Sequence, residues 1–409
     1  MVIKRLFYIQ NGLSSDRGHW LRETLEWKNA AHRLSLEWHG FAHSSFDKKL
    51  ATLHEVQPVF PYRPHDYIVV EDKPEQSQRS TLTLISAAFA QACSTHLPKD
   101  ISGQDLLFVA NATQKEMLGI AQWLDSVSAP HRPKVAFYFH HLNAPWKVNS
   151  INGSTTGDVT SSQLVGKAIL QRLPPEKINL YAAVPPLAEV LTAIFGIPAK
   201  AMGTTVKSFT HTPTPYRDKK YDVAIMGGAR KEQGIDIAVA TMAELAALRP
   251  DLRALVQIRK PEEAGGLKNI TPDSGIEIYC GHLFEDDFNS RLGESRFLLL
   301  PYMPDRYCLR ESGVFCEASV MGIPVAASEF SSMARHIQAG NAAGIVFNYS
   351  DPPAAIAKKL DIALKNGETF YQKSQELSHY WKTQCSAVTS LQRIIDDFSK
   401  GAVKKAAVP

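Results

Sequence analysis

The 409-residue chain sets 45 lysines and arginines against 41 aspartates and glutamates, a formal net charge of +4. With 44% hydrophobic and 21% charged residues it has the balance of a soluble globular protein, which excludes disordered, fibrous and collagen-like chains. The length suits two domains with full cores, and the near-neutral charge gives no reason to expect nucleic acid, while leaving room for weak peripheral attachment to anionic membrane lipid.

The start, MVIKRLFYIQNG, has a four-residue apolar run after two basic residues, too short for a signal peptide. No later run approaches the about 18 apolar residues of a membrane span, so a cytoplasmic protein is expected. The five cysteines, Cys93, Cys280, Cys308, Cys316 and Cys385, lack paired spacing and read as reduced thiols. RLFYIQ predicts a strand, RGHWLRETLEWKNAAHRL a helix, DYIVVED a strand, STLTLISAAFAQACSTH a helix and DLLFVAN a strand. TQKEMLGIAQWLDSV then predicts a helix capped by Thr113, and KVAFYFHHL a strand. The polar stretch VNSINGSTTGDVTSS, 148–162, reads as a mobile loop before the helix LVGKAILQRL, the strand INLYAAV and the helix PPLAEVLTAIFG.

TTVKSFTHTPTPYRDKKYD, 204–222, is rich in threonine, proline and charge and reads as an interdomain linker. The alternation then restarts. VAIMGGARKEQGIDIAVATMAELAAL predicts strand, glycine turn and helix; ALVQI and GIEIYCG predict strands, LFEDDFNSRLGES a helix and RFLLLPY a strand; AGIVFN and PPAAIAKKLDIALKNG close the series. Such alternation needs crossover connections, hence mostly parallel, doubly wound sheets whose ligands gather at the carboxyl ends of the strands. The expected fold class is α/β, two Rossmann-like doubly wound domains facing a cleft: an N-terminal domain over 1–205, a C-terminal domain over 206–385, and a helix end and tail over 386–409.

Two segments of the second half suit a phosphate. In MGGARKEQG, Gly227 and Gly228 allow close backbone approach after a strand, and Arg230 and Lys231 supply positive charge. In RESGVFCEASVMGIPVAAS, Arg310, Glu311, Ser312 and Gly313 read as a cap, Val314 to Met321 as a helix, Gly322 as its left-handed end and IPVAAS as a buried strand. The first turn of that helix offers unpaired N–H groups and the positive end of its dipole, and Glu317, one turn along, suits the two hydroxyls of a ribose. Taken alone, the segment also reads as a capped core helix with Glu317 on a solvated face. In the first half, Asn11 and Gly12 form the corresponding turn, with His19 in the helix after it, while His140 and His141 end an internal strand, where one of them can meet a reacting hydroxyl or simply be satisfied structurally. HExxH, paired CxxC and GxSxG motifs are absent, so neither a dedicated metal site nor a hydrolase elbow is indicated.

On these residues the second half resembles the GT-B glycosyltransferases of family 4, the glycosyl transferases group 1. GGARKEQGID at 227–236, LFEDDFNSRLGESRFLLLPY at 283–302, SGVFCEASVMGIPVAAS at 312–328 and GNAAGIVFN at 340–348 carry the resemblance in order and spacing. The first half is similar mainly in architecture, in the glycine turn at Gly12 and in Phe139-His140. The resemblance implies a retaining, hexosyltransferase-type enzyme of polysaccharide or glycoconjugate synthesis, with a UDP- or GDP-sugar as co-substrate, no permanently bound cofactor and a glycan, lipid-linked or other hydroxyl acceptor. It implies that Glu317 binds the donor ribose and that the N–H groups of Ser312, Gly313 and Val314 hold the diphosphate. Arg230 and Lys231 would neutralise the leaving group, His140 would contact the sugar near the reacting carbon, and His282 to Phe284, Leu283 among them, would lie beside the nucleobase.

The family pattern has two glutamates eight residues apart. Here Leu309 stands eight before Glu317 and Glu311 six before it, so either Glu311 reaches the donor sugar from a differently shaped loop or Arg310 and Ser312 take over. The family lysine before the helix glycine is also replaced, since Gln233 precedes Gly234. Trp20, Trp38, Trp146 and the 148–162 loop are acceptor-side candidates. Two other functions fit the same sequence: a nucleotide-binding scaffold without catalysis, and a nucleotide-sugar epimerase of the same fold.

Overall fold

In the computed structural model the residues described are 3–16, 19–70, 74–141, 147–148, 155–156, 160–206, 214–227, 230–269 and 275–406. Two units are distinguished: Met1–Trp146 with Gly157–Lys207 and Cys385–Pro409, and Lys147–Thr156 with Ser208–Gln384.

The first unit runs β1 (Arg5–Gln10), α1 (His19–Arg33), β2 (Glu37–His43), α2 (Lys48–His54), β3 (Val56–Phe60), α3 (Pro74–His96), β4 (Asp105–Val109), α4 (Gln114–Trp123) and β5 (Lys134–Phe139). A short antiparallel pair, β6 (Lys147–Val148) and β7 (Thr155–Thr156), belongs to the second unit. The first resumes with α5 (Thr160–Leu170), β8 (Ile178–Ala182), α6 (Pro185–Phe195) and β9 (Ala199–Ala201). Its seven strands lie in the order β3-β2-β1-β4-β5-β8-β9, all parallel. The central strands are buried on both faces, which is why DLLFV and KVAFYF are nearly continuous apolar runs. Leu106, Leu107, Phe108 and Val109 are fully inaccessible, each side chain contributing about 1.5–3 kcal/mol of burial.

The second unit continues with β10 (Tyr221–Ile225), α7 (Ile235–Leu248), β11 (Ala254–Ile258), β12 (Ile276–Cys280), α8 (Glu285–Gly293), β13 (Ser295–Leu300), α9 (Pro304–Tyr307), α10 (Gly313–Val320), β14 (Val325–Ser328), α11 (Ser332–Gln338), β15 (Gly344–Phe347), α12 (Pro353–Lys365) and α13 (Gly367–Gln384). Six parallel strands lie in the order β12-β11-β10-β13-β14-β15. The order reverses between β10 and β13, and a doubly wound sheet opens a ligand crevice at such a point. The last helix, α14 (Ala387–Ala406), returns to the first unit, where it meets α1, buries Leu391, Ile394 and Phe398 and receives a hydrogen bond from Tyr181 Oη on Asp397 at 2.9 Å. Among the described residues no helix is long and apolar enough to cross a membrane.

One predicted strand is not in the sheet. DYIVV forms no strand, because side chains of α3 take the backbone groups a ladder would use. Ser77 Oγ accepts from Val70 N at 2.7 Å and Thr81 Oγ1 from Ile68 N at 2.9 Å, and each hydroxyl donates back to the carbonyl of the same residue. The sheet positions go instead to β2 and β3, in a stretch, EWHGFAH to VQPVF, without a clean apolar alternation. Most of 148–162, with Trp146, lies outside the described residues.

Candidate functional site

The site of the second unit is built at the carboxyl ends of β10 and β13. Gly227, two residues past β10, has φ at 104°, a left-handed value that favours glycine, and a Cβ there would stand 2.6 Å from Val314 Cγ2. The two glycine-bearing segments picked out in the sequence are therefore in contact: the turn after β10 lies against the first turn of α10. Gln257, buried on β11, fastens this arrangement by accepting from Gly227 N and donating to the Gly281 carbonyl, both at 3.0 Å.

Ser312 caps α10, its hydroxyl accepting from Phe315 N at 3.3 Å, and Gly313 has open space where a Cβ would lie. Beneath the turn at 230–234, the buried Gln233 accepts from Arg230 N at 3.0 Å and donates to Tyr302 Oη at 3.1 Å. Gln233 thus holds the turn in place of the lysine the family pattern carries. Gly234, with φ at 68°, opens α7 against Pro301.

The charges here are mostly positive. Burial lowers the pKa of the half-buried Arg310 guanidinium, Tyr307 and Glu232 oppose that shift, and Arg306 and Arg230 add to it. An arginine remains charged at neutral pH regardless, so Arg230, Arg306 and Arg310 form a cationic group beside the α10 N-terminus. Arg230 is balanced in part by Glu232 at 3.3 Å, and Lys231 is exposed in the same turn. Burial also pushes the Tyr302 phenol well above its ordinary range, so it stays neutral. This arrangement suits an anion with two linked phosphates: N–H groups and a dipole end on one side, guanidinium groups on the other. Glu317 lies half-buried on α10 one turn beyond.

Two of the predicted residues, Glu311 and Leu283, have buried side chains. Glu311 is turned into the protein, its side chain 3% exposed; Oε1 accepts from Ser312 N at 3.1 Å and Ser332 Oγ at 2.9 Å, and Oε2 meets His336 Nε2 at 2.9 Å. Leu283 is buried, while the neighbouring Phe284 is 76% exposed with its ring 5.9 Å from that of His282. Gly228 lies outside the described residues.

In the first unit, Gly12 and His140 come together through Trp20. A Cβ on Gly12 would stand 3.4 Å from the Trp20 indole, whose ring centroid is 5.2 Å from that of His140. His140 follows β5 with Nε2 3.4 Å from Glu23 Oε1 on α1, and the Tyr138 ring lies 4.6 Å away. Trp38 is a packing residue whose Nε1 donates to the Glu55 carbonyl at 3.1 Å. Among the described residues no cluster of His, Cys, Asp or Glu is arranged to hold a metal ion. The residues that sequence reasoning missed are supports: Gln257, Tyr302, Tyr307, Ser332, His336 and Glu23. Only Gln233 left a trace, as a departure from the family pattern.

Neither a protein-family model nor a curated protein sequence matches the chain. Solved structures do. A glycosyltransferase from Rickettsia africae superposes with a TM-score of 0.66 at 12% identity, covering 98% of this chain and 99% of that one. HepE of Anabaena, in complex with UDP, gives 0.60 at 14% identity over 97% and 100%, and sucrose-phosphate synthase of Thermosynechococcus elongatus gives 0.60 at 13% over 97% and 99%. With two parallel sheets of the doubly wound kind, matched over nearly the full length of both chains, this protein has the GT-B fold of two Rossmann-like α/β domains.

Proposed function

We propose that this protein is a glycosyltransferase that moves a sugar from a nucleoside diphosphate donor to a hydroxyl of a glycan or lipid-linked acceptor, with retention of configuration. The observation that carries the reading is the contact of Gly227 with the first turn of α10 in the company of Arg230 and Arg310. In this reading the N–H groups of Ser312, Gly313 and Val314 hold the diphosphate and Glu317 accepts from the ribose hydroxyls. As the bond from the anomeric carbon to the phosphate oxygen breaks, the electron pair stays on that oxygen, and Arg230, Lys231 and Arg310 stabilise the charge. The acceptor oxygen bonds to the anomeric carbon and its proton passes to the released diphosphate. UDP is the first nucleotide to test, because HepE is solved with UDP and with UDP-glucose.

In this reading His140 is a catalytic residue. His140→Ala is expected to lower turnover while leaving nucleotide affinity little changed, and near-normal turnover would remove it from the mechanism. The test of the whole reading is chromatography of UDP- and GDP-sugars incubated with the protein. Net release of free nucleoside diphosphate, by transfer or slow hydrolysis, supports a transferase, and a donor sugar epimerised without net release contradicts it. The inward turn of Glu311 favours one second reading, a module that binds the nucleotide and transfers nothing; bound nucleotide with no turnover under any acceptor would establish that alternative.

A further inference from the structure

The second unit has a cavity at the end of its sheet opposite the donor residues. The turn at 214–218 precedes β10, whereas Gly227 and α10 follow the carboxyl ends of β10 and β13, and the length of β10 alone is about 16 Å. Two tyrosines are held there, Tyr216 in the turn and Tyr371 on α13, with ring centroids 5.7 Å apart. Tyr371 Oη donates to the Thr214 carbonyl at 3.2 Å, and the Arg296 guanidinium lies 4.9 Å from the Tyr216 ring while Nε donates to the Tyr216 carbonyl at 3.4 Å. Lys219, 1% exposed, donates to the Gly293 carbonyl at 2.7 Å and stands 5.0 Å from the Tyr371 ring. Gly367, which opens α13, has no left-handed backbone to explain it; it answers to space, since a Cβ there would collide with Tyr216 Oη. A buried ammonium bonded to a carbonyl rather than a carboxylate, and a glycine at the head of a helix, hold the two rings more firmly than a connection needs.

The rings wall a cavity of about 490 Å³, within the size range of small-molecule sites. Arg217, Asp218, Glu368 and Gln372 complete its lining; all four are exposed, and none of these side chains has a hydrogen-bond or ion-pair partner among the described residues. A further cation is disfavoured, since Arg296 and Lys219 already stand beside the rings, and an anion would meet two carboxylates. An acyl chain would desolvate these polar groups and pair with none of them. A sugar ring suits both parts: its C–H face covers a tyrosine, and its hydroxyls accept from the guanidinium and the amide and donate to the carboxylates. We propose that this cavity binds a neutral oligosaccharide away from the reacting centre. Resting on the transferase reading above, it holds a distant part of the glycan chain while the bond is made elsewhere.

The test uses the full chain and saturation-transfer-difference NMR with neutral malto-, cello- and manno-oligosaccharides, alongside a separate titration of UDP and GDP. At least one oligosaccharide is expected to bind. Asp218→Ala and Gln372→Ala, both at exposed positions, should each weaken it about three- to tenfold without altering nucleotide affinity, and Gly367→Ala, which displaces the Tyr216 ring, should weaken it further. No oligosaccharide signal, binding indifferent to all three substitutions, or spermidine or a sugar phosphate binding in its place would overturn the proposal, and nucleotide binding in the same protein would leave the transferase reading standing. Oligosaccharide binding that responds to these substitutions, without any nucleotide binding, would instead refute the transferase reading and leave this site standing.

Discussion

Glu311 shows how a residue's type and approximate place can suggest a ligand contact while its surroundings assign it another task. Both of its oxygens are engaged, and the imidazole it meets is wedged against Phe315 and Trp381, with ring centroids 5.6 and 4.9 Å away. Burial opposes protonation of His336, but the charge and hydrogen bond of Glu311 outweigh it and hold the pKa above its ordinary 6.5. A raised folded pKa stabilises the protein fully below the unfolded value, and the contribution is lost as pH rises through the folded one. Glu311→Gln should therefore lower the melting temperature more at about pH 6 than at about pH 9. An equal loss at both values would mean that the pair carries no charge-dependent stability. Nothing in the spacing of RESG shows this role, because Ser332 and His336 lie more than twenty residues further along the chain.

At the level of elements, the sequence was most legible where one rule acted alone. The cap at Ser312, the left-handed helix ending at Gly322 and the capping box at Thr113 all follow from local chemistry, and each stands where the residues indicate. DYIVV failed because Ser77 and Thr81 on a neighbouring helix compete for its backbone, a tertiary effect that no local pattern contains. The glycines separate into two kinds by what a Cβ would strike. At Gly234 it would stand 1.9 Å from the Pro301 carbonyl oxygen, a backbone atom, whereas at Gly322 it meets the end of the Gln375 side chain, which can move. Both positions have positive φ, so alanine at Gly322 should cost about 1 kcal/mol and at Gly234 about 3 kcal/mol or more. Urea denaturation measures both, and equal midpoints for the two variants would show that the approach of Pro301, just after β13, to the start of α7 is not tight.

For the whole molecule, the alternation of strands and helices made both sheets expected, but the return of α14 to the first unit was not legible, since its amphipathic pattern names no partner. Removal of residues 385–409 takes away the buried Leu391, Ile394 and Phe398, each contributing about 1.5–3 kcal/mol, and the Tyr181 and Lys200 contacts to Asp397. Amide exchange should accelerate in α1 and β8 while β10 keeps its protection; unchanged exchange in α1 would deny the helix a structural role. The central claim concerns the diphosphate site, and calorimetric titration of UDP and GDP into the wild type, Arg310→Ala and Glu317→Ala addresses it most directly. The account predicts that one nucleotide binds and that each substitution weakens it by about 1–3 kcal/mol, as loss of a charge-assisted hydrogen bond does. Absence of binding to folded wild-type protein, or affinity unchanged in both variants, would contradict it.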